Sequence, residues 1–186
     1  MALERTFREL PAQLRRLRDR LQELEVTVVE DRPQANQAVI VDSLEYAVAD
    51  LRGWAEEALQ AAEEAERAVG HPVDLGRARR ALSTCQERFQ RIERGFAANL
   101  VSYDRIKDLT NFGSERRREW PAWVTSVKQG IEHCREPIEG VGQALAECWQ
   151  EIAERVGMTS VSVQATNIGQ QISVAEDKEA LREGVT

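Results

Sequence analysis

Histidine is nearly missing: two in 186 residues, with three cysteines, five prolines and 5% aromatic residues. Each shortage excludes something. A carboxylate-bridged metal site in a helical bundle draws on Glu-x-x-His pairs from facing helices. Here His71 stands in a turn beside Pro72. His133 has Glu136 three residues on, but Glu132 is merely adjacent. One His–Glu pair does not complete a metal's coordination shell. The ordinary reading of His133 is a surface or half-buried imidazole beside a carboxylate. Cys85, Cys134 and Cys148 are odd in number and fall on apolar positions. They read as small buried hydrophobes in a reducing compartment, not as bridges. Cys134 and Cys148 are two heptads apart, about 21 Å along a helix, too far to share a metal.

Other absences concern reactions and compartments. Gly140-x-Gly142 lacks the third glycine and the preceding strand of a dinucleotide loop. There is no glycine-rich phosphate loop with lysine, no Gly-x-Ser-x-Gly and no Ser–His–Asp order. The expectation is a protein that is not an enzyme and holds no cofactor or metal. No run of about eighteen apolar residues is present, so no membrane span is expected. The charged start MALERTFREL has no signal-peptide core. The expected location is therefore the cytoplasm. The formal net charge of −7 disfavours a nucleic-acid-coating role.

What the chain does have is regular spacing. Leu3, Phe7, Leu10, Leu14, Leu17, Leu21, Leu24 and Val28 step by four and three, a heptad seam. Pro11 interrupts it, so either the helix starts there or a short N-terminal turn is kinked against it. A second seam runs Val41, Leu44, Val48, Leu51, Ala55, Ala58, Ala62, Ala65, Val69 and stops at Gly70-His71-Pro72. Its alanine half brings a neighbouring backbone close. Asp74 is a good N-cap for a third helix, whose seam is Leu75, Ala78, Leu82, Cys85, Phe89, Ile92 and Phe96. Asn99 then takes a seam position, where a polar residue fixes register or meets a ligand. Ser114 is placed to cap a fourth helix with the seam Trp120, Val124, Val127, Ile131, Cys134, Ile138, Val141, Leu145, Cys148, Ile152, Val156. Pro137 removes the hydrogen bond to the His133 carbonyl and should bend it. Trp54, Trp123 and Trp149 flank their seams, as helices with two neighbours require.

The spacing predicts an all-α fold: an up-down-up-down antiparallel four-helix bundle over 1–157, with helices at about 2–30, 34–69, 74–112 and 114–156. Residues 158–186 read as an extended tail, with a short charged helix from Ala175 to Glu183. Within the tail, Val161, Val163 and Ala165 alternate with Ser160, Ser162 and Gln164. Period two marks a strand with one apolar face. The expectation is that this chain has no second strand to pair with it, and a lone strand is not stable in water. The tail is then a neutral linker, a segment lying in a groove of its own bundle, or a strand added to a partner's sheet edge. Its anchors would be Val161, Val163, Ile168 and Ile172.

Arginine clusters occur at Arg15, Arg16, Arg18 and Arg20, at Arg77, Arg79 and Arg80, and at Arg116, Arg117 and Arg118. Acidic neighbours make them read as solvated faces with short-range ion pairs. Arg116 to Arg118 oppose the macrodipole of the helix they open. They are the best surface candidates for an acidic partner. The leading functional expectation is an interaction protein, an adaptor, scaffold or assembly subunit that docks a protein partner or a second copy through its C-terminal segment. The alternative is a small-molecule-sensing bundle with a cavity near the alanine seam, Asn99, Tyr103 and the Pro137 bend. A nucleic-acid-binding regulator comes last.

Overall fold

The computed structural model describes residues 2–30, 38–109, 119–156, 161–166 and 169–174. Five helices and two strands follow in order: α1 (Ala2–Val29), α2 (Ala38–Ala68), α3 (Leu75–Leu109), α4 (Glu119–His133), α5 (Arg135–Val156), β1 (Val161–Thr166) and β2 (Gly169–Val174). The all-α bundle expected from spacing is the fold. Its apolar stripes are its core: all eight α1 seam residues are at most 3% exposed, as are Leu44, Val48, Leu51 and the alanines Ala55, Ala58, Ala62 and Ala65 of α2. Ala78, Leu82, Cys85, Phe89, Ile92 and Phe96 line the α3 side. Val124, Val127, Ile131, Cys134, Val141, Leu145, Cys148 and Ile152 close the fourth. Val156 leaves the seam and is 52% exposed.

Cross-helix contacts give the direction of each neighbour. Numbers rise along α1 as they fall along α2: Arg8 pairs with Glu66, Arg15 with Glu63, Arg18 with Glu56, and Glu25 with Arg52. α2 and α3 are antiparallel in the same way, through Glu64–Arg77 and Glu57–Arg88. Against α1, the fourth segment runs backwards. Trp123 Nε1 donates to the Thr27 carbonyl, and Cys148 Sγ to the Thr6 carbonyl. Phe89 meets Gly142 across α3 and α5. Every neighbour is thus antiparallel, an up-down-up-down ring. Its slimmest side is α3 against the fourth segment, α4 and α5 together.

Local chemistry explains the ends and breaks. Asp74 caps α3 as expected, its Oδ1 accepting from the Arg77 amide at 2.8 Å. Pro11 does not start α1, which runs through it from Ala2. The buried Leu3, Phe7 and Leu10 tie the preceding turns to the core, so packing outweighs the donor lost at one proline. The expected single fourth helix is two helices, parted at Cys134. The Cys134 amide bonds back only three residues, to Ile131, and the ladder resumes with Ile138 to Cys134. Pro137 sits in the first turn of α5, where a missing donor costs little. The Ser114 position and the Ala175–Glu183 segment lie outside the described residues, as does the structure of Asn99 and Tyr103 beyond their α3 backbone.

The tail differs from expectation in one respect. β1 does have a second strand in this chain, β2, and the two form an antiparallel hairpin. The register matches like with like: Val161 opposes Val174, Ser162 opposes Ser173, Val163 opposes Ile172 and Gln164 opposes Gln171.

Candidate functional site

Two features lie outside the packed core, the first of them in contact with α5. The first is the hairpin. β1 begins five residues after α5 ends, so it emerges where α5 stops. That end of the ring also holds the start of α1, next to Cys148 through Thr6, and the α2–α3 turn, where His71 Nδ1 stands 3.6 Å from Glu4. Val73 and Val156 are exposed there. The hairpin is a two-stranded sheet whose strands pair only with each other among the described residues. Among the described residues, one edge of each strand pairs with no further strand. From Val161 to Val174 there is no charge and no proline. Natural sheets protect open edges with such residues.

Of the sequence-predicted anchors, Val161 and Val163 lie in β1 and Ile172 in β2. The register makes Val163 and Ile172 direct partners. Ile168 lies outside the described residues, as do Arg116, Arg117 and Arg118. The pairing itself went unread in the sequence. Its signal was there: VSVQ in β1 is nearly mirrored by QISV in β2.

The second feature is a cleft of about 560 Å³ at the α4–α5 break. Close glycine contacts flank it on either side. A Cβ at Gly130 would stand 2.9 Å from Leu24 Cδ1, and one at Gly140 would stand 2.6 Å from Gln13 Oε1. Both glycines let α1 approach closely, and between them the broken helix leaves a gap. Gln13, Arg16, Asp19, Arg20 and Glu23 line it from α1. Glu132, His133, Glu136 and Pro137 line it from the break. Arg20 is bonded to Glu23 at 2.7 Å, which holds its charge more firmly, and Arg135 to Glu132 at 2.7 Å. Four carboxylates against two guanidiniums leave the cleft acidic. The alanine seam does not border it; those alanines are fully buried.

Outside the cleft, a set of ion pairs joins neighbouring helices. Sequence neighbours pair in a few places, such as Arg18 with Asp19. The α1–α2 groove instead carries a rail of inter-helix pairs, which no spacing rule within one helix reveals. Arg88 Nε lacks an aligned acceptor but is neutralised by Glu57 Oε2 at 2.6 Å. Between α3 and α5, Glu93 lies half-buried in a crevice with Gln86, Phe89, Gln90, Gly142, Leu145 and Ala146. Burial pushes its carboxyl up to about 7. Cys85 and Cys134 are pushed up to about 12 by burial, and Cys148 is raised as well. All three are free thiols, kept protonated and shielded. Among the described residues no group of three or more His, Cys, Asp or Glu side chains is placed to hold a metal. No described helix is long and apolar enough to cross a membrane. The chain matches no protein-family model and no curated protein.

Proposed function

We propose that this is a non-enzymatic, cytoplasmic interaction protein, an adaptor, scaffold or assembly subunit. The bundle is a rigid mount, and the C-terminal segment is its docking element for a protein partner or a second copy. The observation that carries this reading is the uncharged hairpin, whose outer edges pair with no further strand among the described residues. An isolated two-stranded hairpin is marginal in water. A third strand from outside would complete backbone hydrogen bonds and bring alternate side chains into register. Val73 and Val156, exposed at the same end, add apolar area beside it. Deleting residues 158–186 should abolish partner capture while leaving helical circular dichroism and melting unchanged. Undiminished capture of the same proteins by the truncated chain would refute the reading.

A second reading, small-molecule sensing, is favoured by the cleft at the Pro137 break. Its acidic lining suits a small cationic ligand. Native mass spectrometry of the purified chain checks this: a bound mass lost in Glu132→Lys supports it, and a bare chain that binds no polyamine speaks against it.

A further inference from the structure

We propose that the outer edge of β1 pairs antiparallel with the same edge of a second copy of this chain, about a two-fold axis at Val163. The inference rests on the hairpin being the docking element, and it names what docks.

The register supplies the backbone half of the argument. Thr166 opposes Gly169, so two residues connect the strands. Adjacent residues 167 and 168 cannot close a ladder pair with one another. Thr166 and Gly169 must therefore be a hydrogen-bonded pair. Bonded and non-bonded pairs alternate along an antiparallel ladder. Thr166, Gln164 and Ser162 bond inward to β2. The amides and carbonyls of Ala165, Val163 and Val161 are left on the outer edge. A third strand must meet β1 at those three residues.

The sequence supplies the other half. Antiparallel pairing of identical strands about Val163 sets Val163 against Val163, Val161 against Ala165, and Ser162 against Gln164. Apolar positions meet apolar ones and polar meet polar at every step. The bonded positions coincide with the outward-facing amides. A slip of one residue would break both matches together. β1, with two valines and a threonine, is also the better strand former than β2, with its glycine and two adjacent glutamines. Copies of a chain carrying −7 repel one another, but the stretch from Val161 to Val174 has no charge to oppose contact. The result is a four-stranded sheet across an isologous interface, which closes at two copies.

Cysteine trapping reads the register directly. In a bonded antiparallel pair the two Cα atoms stand about 5.5 Å apart, within disulfide reach. The native thiols are buried and do not compete. Val163→Cys in the full chain should give a covalent dimer under mild oxidation. Ser162→Cys should not, because its counterpart is displaced by two residues. Val161→Cys should crosslink poorly alone and well when mixed with Ala165→Cys. Val163→Pro removes an outward amide and spares the inward ladder, so it should convert dimer to monomer by light scattering with unchanged helicity. A wild-type chain that is monomeric at high micromolar concentration overturns the proposal, as does equal trapping at 162 and 163 or assembly growing past two copies. If that monomer still captures another protein only when residues 158–186 are present, self-pairing fails and the docking reading stands. If capture survives the deletion, both fail.

Discussion

Glu93 shows how burial without a partner makes one residue sensitive to pH. Its Oε2 has no hydrogen-bond partner among the described residues, and desolvation raises its carboxyl to about 7. The folded chain therefore holds that proton more tightly than the unfolded chain, whose carboxyl titrates at about 4.3. Below that value Glu93 is neutral in both states and costs nothing. As pH climbs towards 7 native stability falls, and above 7 the full penalty is present. Glu93→Gln should match wild type near pH 4 and exceed it at pH 8. The gain should be roughly 1 kcal/mol after solvent screening of a half-buried group. Urea midpoints at the two pH values check this; an equal gain at both rules out ionisation as the cause. The bundle's two tight glycines separate in another way. At Gly130 an added methyl meets Leu24, itself 1% exposed. Gly130→Ala should destabilise by about 1 kcal/mol, since overpacking outweighs the helix preference of alanine. At Gly140 the obstacle is the end of the Gln13 side chain, which can swing out. Gly140→Ala should be neutral or stabilising by up to about 1 kcal/mol. At this scale the sequence was legible where one residue dictates its own role, as Asp74 does at its cap. It was silent on Glu93, because only the packing of α3 against α5 reveals that its surroundings are dry.

Helices were the most legible elements, because a stripe repeating at helical period is driven into a core, and the described stripes are buried over most of their length, with Leu75 and Ile138 half-covered and Val156 exposed. The α2 alanines are the sharpest instance. They are fully buried, and the neighbouring helices are seated at their small volume. Ala62→Leu should cost about 1–3 kcal/mol by overpacking, read as a lower urea midpoint at unchanged slope. A stability equal to wild type would mean that the seam has spare room. The break in the fourth helix was half legible. Pro137 located the fault, but only the backbone shows that the ladder parts three residues earlier, at Cys134. The strand β2 was not legible by propensity. Gly169, Gln170 and Gln171 are poor strand formers, and only their pairing opposite Thr166, Ala165 and Gln164 makes a strand of them. The inter-helix ion pairs were illegible for a related reason. They depend on the stagger of two helices, which neither sequence carries alone.

As a whole molecule the chain divides its labour. The helical stripes account for one another, and the hairpin is appended where α5 stops. Removing residues 158–186 should shift the melting temperature by no more than a few degrees, since the helix seams stay intact. A drop above ten degrees would show that the tail belongs to the folding unit. The ring order has a practical corollary. α1 and α5 lie side by side and run in opposite directions, so the start of α1 and the end of α5 are near neighbours in space. Any bulky tag fused ahead of Ala2 would stand as a fence beside the ribbon. On the proposed pairing of two copies, the tag's placement, rather than the protein, would then decide whether the dimer forms in the test tube.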